Sequence, residues 1–140
     1  MTTAVDSNIF VALWSSHEEL SLWAESALEE CADAGRLVIC PAVYCELAAA
    51  PGRDQEFVAR FLLETSVDVD WGLDESIWRL AAERFSGYAI RRRKQADSGP
   101  RRILADFLIG AHATRRADRL LTLDVKIYRT AFPRLKIVTF

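Results

Sequence analysis

The sequence is poor in the residues that hold small or unusual folds together, with 3 cysteines, 6 glycines and 4 prolines in 140 residues. Cys31, Cys40 and Cys45 are odd in number and lack CxxC spacing, so neither a disulfide framework nor a zinc site is implied, and buried thiols are expected. The only histidines, His17 and His112, form no HExxH pattern and are too few for a histidine-based metal centre, which leaves them structural or exposed roles. No apolar run approaches the ~20 residues that cross a bilayer. The first apolar stretch carries Asp6 and has no basic segment ahead of it, unlike a signal peptide. A soluble, cytoplasmic protein without membrane contact is therefore expected. Repeats and low-complexity tracts are also missing. With 51% apolar and 27% charged residues, the chain has ordinary globular composition and can bury a core without staples. One domain spanning 1–140 follows from that length.

Charge is nearly balanced overall but unevenly distributed. Residues 1–87 hold 5 basic and 16 acidic side chains, whereas residues 88–140 hold 13 basic and 4 acidic ones. That asymmetry implies either a local basic surface able to meet phosphates or opposite charges meeting within the fold or across a dimer interface.

Apolar periodicity and caps alternate strand and helix along the chain. A β-prone run at 2–5 leads into Asp6-Ser7-Asn8, a turn or helix-cap signal, so Asp6 lies at the carboxyl end of a first strand. Ser16-His17-Glu18-Glu19 has the form of a capping box before a helix that Gly35 closes. The run 37–40 reads as a strand covered on both faces, and Pro41 opens the next helix, where Val43, Glu46, Leu47 and Ala50 share a face. A helix over 54–65 carries Phe57, Phe61 and Leu62 inward, and 67–71 alternates as an edge strand should. Asp68, Asp70 and Asp74 resemble a calcium loop only superficially, since Leu73 stands where the loop needs glycine. Asp74 caps a longer helix reaching towards Ile90, with Trp78 and Phe85 expected in the core.

Arg91, Arg92, Arg93, Lys94, Arg101 and Arg102 put six cations into twelve residues around a Ser-Gly-Pro loop, a candidate phosphate track with Tyr88 as a stacking surface. From 103 to 113 every residue is apolar or small except Asp106 and His112, which describes a helix buried on most faces with one carboxylate set into it. Residues 120–123 form a short apolar strand ending at Asp124, 125–131 a short helix, and 136–140 a last β-prone run. The alternation predicts a three-layer α/β/α fold around a mainly parallel sheet.

In such sheets ligands collect outside the carboxyl ends of the strands. Asp6 and Asp124 lie at or just past such ends, and Glu46 and Asp106 lie on flanking helices, so one crevice can hold all four. Taken singly, Asp6 reads as a helix cap and Glu46 as a carboxylate paired with an arginine such as Arg53. Taken together, two such charges ~4 Å apart repel by about 4 kcal/mol at a dielectric of ~20, so a dry cluster takes up protons or cations. Oxygen ligands without histidine or thiolate favour Mg²⁺ or Mn²⁺, the metals of phosphate-ester hydrolysis.

The motifs Val5-Asp6-Ser7-Asn8, Pro41-Ala42-Val43-Tyr44-Cys45-Glu46-Leu47, Ala105-Asp106-Phe107-Leu108-Ile109-Gly110-Ala111 and Leu121-Thr122-Leu123-Asp124 stand in the order seen in the PIN-domain ribonucleases. Within these the chain most resembles the VapC-type toxins of toxin-antitoxin pairs, including its Phe132-Pro133-Arg134-Leu135-Lys136 ending. The resemblance implies a PIN-like fold and a Mg²⁺- or Mn²⁺-dependent endoribonuclease whose acidic quartet is Asp6, Glu46, Asp106 and Asp124. Asp6 and Asp106 would be the principal metal ligands. Glu46 would bind a second metal or position water, Asp124 would ligate directly or through water, and Asn8 and Thr122 would support the site. It also implies a cognate antitoxin partner, a homodimer and an RNA target such as tRNA. Two features depart from the pattern: the aromatic after the last acid is delayed to Tyr128, and the basic segment 91–102 is longer than a minimal member needs.

Rival readings make different demands. A non-catalytic PIN-like module that binds RNA or protein gains nothing from a repulsive carboxylate cluster. A receiver-like signalling domain expects adjacent acids after its first strand, and Asp6 has no acidic neighbour. A phosphohydrolase of small esters has less use for the basic segment.

Overall fold

The computed structural model describes residues 1–95 and 102–139. In chain order the elements are β1 (Thr2–Val5), α1 (Ser7–Leu13), α2 (Glu18–Ala34), β2 (Arg36–Ile39), α3 (Pro41–Ala48), α4 (Gln55–Glu64) and β3 (Val67–Val69). They continue with α5 (Glu75–Gln95), α6 (Leu104–Arg116), β4 (Arg119–Leu121), α7 (Val125–Ala131) and β5 (Ile137–Val138). The strands form one sheet in the order β3-β2-β1-β4-β5, and every pairing is parallel. Helices α1 to α4 pack among themselves, α5 to α7 do the same, and α3 meets α6. This is the expected α/β/α fold with an all-parallel sheet.

The order also explains where a crevice opens. The chain steps outward from β1 to β2 and β3, then returns to the other side of β1 to lay down β4 and β5. At β1 and β4 the winding reverses, which splays the connecting segments apart above the carboxyl ends of the two strands. Thr3 pairs with Arg119 and Val5 with Leu121, so the residues after Val5 and Leu121 emerge side by side.

Burial follows the apolar pattern. Val5, Ile9, Phe10, Ile39, Leu47, Phe107, Ile109, Leu120 and Leu121 are almost fully enclosed. Residues 107–113 of α6 are buried without a break, so this helix is wrapped by protein on nearly every side. Gly110 permits that closeness, because a Cβ there would sit 2.2 Å from the Phe132 ring. Edge strand β3 and helix α7 lie where expected, and Gly35 closes α2 with φ +153°.

Several local expectations need correction. The cap of α2 is His17 rather than Ser16: its Nδ1 accepts from Leu20 N at 3.2 Å, a bond an imidazole makes as well as a hydroxyl, and Ser15 Oγ in turn accepts from His17 N at 3.1 Å. Helix α5 runs past Ile90 to Gln95, so Arg91, Arg92, Arg93 and Lys94 occupy its final turns, where cations oppose the negative end of the helix dipole. Trp78 is half exposed rather than core, and Cys45 is exposed while Cys31 and Cys40 are buried. Among the described residues, no helix is long and apolar enough to cross a membrane.

Candidate active site

Asp6 follows the last residue of β1 and caps α1, its Oδ1 accepting from Ser7 N at 2.8 Å. It is therefore a helix cap and a buried carboxylate at once. Its other oxygen accepts from the Thr122 hydroxyl at 2.8 Å and from the Asn8 amide at 3.3 Å. Thr122, just past β4, is fully buried, and its hydroxyl oxygen also accepts from Asp124 N at 3.0 Å. Asn8 Oδ1 accepts from Leu123 N at 3.2 Å. A short chain of hydrogen bonds thus fixes the ends of β1 and β4 to each other and orients Asp6 and Asp124 from a shared support.

Glu46 joins from α3. The Ser7 hydroxyl donates to its Oε1 at 3.1 Å, so Ser7 links Asp6 to Glu46 through its backbone and side chain. Arg53, the alternative partner, is directed instead towards the rings of Trp14 and Phe57 at about 5 Å. Asp106 stands in the first turn of α6, where its carboxylate accepts from Ile103 N at 3.3 Å. A carboxylate there is favoured by the helix dipole.

The electrostatics bind these acids into one neighbourhood. Burial pushes the Asp6 carboxyl above its ordinary range against the lowering effect of its hydrogen bonds, and Asp106 adds to the rise. Burial likewise raises Glu46, with Asp6 and Asp106 contributing, and it raises Asp106, to which Asp124 contributes. Three desolvated carboxylates that repel one another favour uptake of a proton or a cation. Tyr128 faces the same place. It is fully buried, its phenol is pushed far up by burial and by the nearby charges of Asp6, Asp106 and Asp124, and its hydroxyl makes no well-aligned hydrogen bond among the described residues.

Asp124 is differently placed from its companions. Arg102 grips both its oxygens, one contact being 3.3 Å long. Arg102 also donates its backbone N–H to the Tyr88 hydroxyl at 2.8 Å. Tyr88 in turn stacks on Phe85 and lies against Phe107, so its ring is engaged inside the protein rather than presented as a stacking surface. Arg92 also donates to the Tyr88 hydroxyl, and Arg101 lies outside the described residues.

The donor chemistry fits a hard divalent cation, because the converging groups are carboxylate, hydroxyl and amide oxygens. Among the described residues, no three acidic, histidine or cysteine side chains are already closed around a single ion-sized point. Asp124 would have to exchange its guanidinium partner to join such a shell.

Residues 3–133 match the family described as PIN domain. The chain belongs to the PIN domain family. No curated protein sequence matches it. Among solved structures, VapBC2 from Rickettsia felis bound to a DNA fragment from their promoter aligns over 99% of this chain and 98% of its own, with TM-score 0.67 and 18% identity. VapBC-1 from nontypeable Haemophilus influenzae aligns over the same shares with TM-score 0.63 and 23% identity. FitAcB from Neisseria gonorrhoeae aligns over 96% of this chain and 95% of its own with TM-score 0.57 and 17% identity. At such identities the likeness establishes the fold this PIN domain shares with them.

Two participants in this PIN domain's cleft were not singled out by sequence reasoning as site residues. Ser7 was visible only as part of a turn, although a hydroxyl beside a strand-end acid is a ready bridge. Tyr128 was visible only as a displaced aromatic. A second network, on the edge strand, also escaped notice: Asp70 accepts from Arg116 at 2.9 Å and lies 3.2 Å from His112 Nε2, while Arg116 also reaches Asp74 at 3.1 Å.

Proposed function

We propose that this PIN domain is a metal-dependent endoribonuclease that cuts RNA phosphodiester bonds as the toxin of a type II toxin-antitoxin pair in the cytoplasm. The observation that carries the reading is the gathering of Asp6, Glu46 and Asp106 at the switch point of the sheet, each with a carboxyl whose pKa burial has raised. A protein pays for such a cluster in stability, and binding a cation is what makes it useful.

Asp6 and Asp106 would be the first ligands of Mg²⁺ or Mn²⁺, with Glu46 and Asp124 completing the acidic set. A bound metal there supplies a Lewis acid that eases ionisation of water and steadies the departing oxygen. The chain's own residues do the rest. Thr122 and Asn8 hold Asp6 in one orientation, Ser7 holds Glu46, and the buried body of α6 keeps Asp106 on a rigid support. Arg91, Arg92, Arg93 and Lys94 on the last turns of α5 would grip RNA phosphates, with Arg101 as a further cation in the sequence and Arg102 able to join only by leaving Asp124. The VapBC and FitAcB structures that share its fold support a cognate antitoxin as partner, and a homodimer and a tRNA target are the assembly and substrate that the VapC-type resemblance favours.

One observation favours a second reading, a non-catalytic PIN-like module binding RNA or protein: Arg102 already neutralises Asp124. Both readings meet the same experiment. Purified protein is incubated with structured RNA in Mg²⁺, in Mn²⁺ and in chelator, beside Asp6→Ala and Asp106→Ala variants. Cleavage that needs metal and disappears in both variants supports the nuclease. Cleavage surviving both substitutions overturns the site, and tight RNA binding without any cleavage favours the module.

A further inference from the structure

At the far end of α6 from the acids lies a solvent-open cavity of about 500 Å³, bordered by α5, the last turns of α6 and the segment after α7. Asp106 and Arg115 are nine residues apart on that helix, a separation of ~13 Å along its axis. The cavity is therefore distinct from the cleft described above. Three arginines, Arg84, Arg115 and Arg134, are among its lining residues, against one acidic residue, Glu83.

None of the three arginines belongs to an ion pair with a described residue; the arginines that form such pairs are Arg36, Arg60, Arg79, Arg102 and Arg116. Arg84 is the most constrained. Its guanidinium lies over the Phe132 ring, 6.0 Å from the centroid, and its Nε is buried without a hydrogen-bond partner among the described residues. Phe132 is itself immobilised, because its ring is pressed against the bare backbone of Gly110. The Arg84 Nε is closed to solvent and an unpaired donor there is unfavourable, so an anion in the cavity would meet Arg84 through the outer nitrogens of its fork and offset the buried charge. Arginine forks match the tetrahedral oxygens of phosphate two at a time.

We propose that this cavity is a phosphate-binding site, formed by Arg84, Arg115 and Arg134 over the Phe132 ring, which receives a backbone phosphate of RNA at a distance from the acidic cleft. The site would hold the substrate strand at a second point and so help set which bond reaches the acids. The assignment of RNA as the source rests on the nuclease reading above, whereas the phosphate chemistry stands on the arginines alone.

The full-length chain, labelled with ¹⁵N and kept in chelator, is titrated with pyrophosphate while the arginine Nε–H signals are followed. Saturable movement of the Arg84 signal is expected, with affinity falling at least tenfold in the double variant Arg115→Gln/Arg134→Gln. Both positions are exposed, so an unchanged melting temperature certifies the fold of that variant. Labelled single-stranded RNA is then bound to each protein across a salt series, still in chelator. Losing the one phosphate contact that this site makes should lower the slope of log K against log salt by about 0.7, the value per phosphate for single strands. An Arg84 signal that pyrophosphate leaves unmoved overturns the site. Pyrophosphate binding lost with an unchanged RNA slope keeps the phosphate site and overturns RNA as its source. Because no arm measures cleavage, a chain that never cuts RNA still passes or fails this test.

Discussion

Arg102 holds Asp124 by both carboxylate oxygens, and Asp124 is the acid whose backbone N–H is fixed by the same threonine that donates to Asp6. The guanidinium therefore covers one corner of the acidic cleft. Its side chain and that of Asp124 are about one-third exposed, so solvent screens the pair and its net worth is about 1 kcal/mol. Replacing Arg102 with Gln frees Asp124 and removes a positive charge from the cleft. Mn²⁺ affinity should tighten by about fivefold, the factor that ~1 kcal/mol represents, as read by isothermal titration. Weaker Mn²⁺ binding would show that the pair organises the site instead of competing with metal.

The three arginines at the end of α5 make a separate prediction. Arg91→Ala/Arg92→Ala/Arg93→Ala should weaken RNA binding and lower the salt slope by about 2, at ~0.7 per lost phosphate contact. Affinity and slope both unchanged would refute their role in gripping RNA.

His112 supplies a pH prediction. Burial lowers its pKa below the ordinary value, opposed by Asp70, and the ring is 1% exposed. The folded protein thus holds the ring neutral where the unfolded chain protonates it. The stability this contributes is present above the unfolded pKa of ~6.5 and is lost as pH falls from there through the folded value. Compared with His112→Gln, which cannot titrate, wild-type melting temperature should fall more steeply as pH drops below about 6.5. Parallel curves would mean that Asp70 keeps the ring's proton balance unchanged on folding.

Gly110 makes a packing prediction. In most helix interiors Gly→Ala stabilises by roughly 1 kcal/mol. Here the added methyl would lie 2.2 Å from the Phe132 ring, which is wall and floor to its surroundings and has little room to retreat. Overpacking of that kind costs about 1–3 kcal/mol, so Gly110→Ala should shift the urea midpoint downward. An upward shift would mean that Phe132 swings aside.

Much of the architecture was legible because local chemistry agrees with the fold. Asp54 and Asp74 cap the helices they precede, Pro41 opens α3, and the apolar run of 37–40 is covered on both faces. The nearness of Asp6 and Asp124 was legible because strand ends in a parallel sheet share one rim. What was not legible is decided by partners far away in sequence. Nothing near Asp124 announces that Arg102 will take both its oxygens, and Asp70, His112 and Arg116 meet only because β3 and α6 approach one another in space. The cap of α2 was missed by one residue for a different reason: Ser16 and His17 both carry an acceptor, and only backbone geometry chooses between them.

The all-parallel sheet has a consequence for how this site comes into being. A parallel pair cannot be made by a tight hairpin, so each strand must wait for a helical crossover before it finds its neighbour. The pairing of β1 with β4 is the most remote of these, joining Thr3 to Arg119. Asp6 leaves the ribosome 116 residues ahead of Thr122, which orients it, and further still ahead of Asp124, beside it. Such long-range closure is the slow part of folding. A nascent or truncated chain that stops short of β4 carries Asp6 and Glu46 without the support that orients them, so the complete acidic cleft is a property of the finished molecule alone.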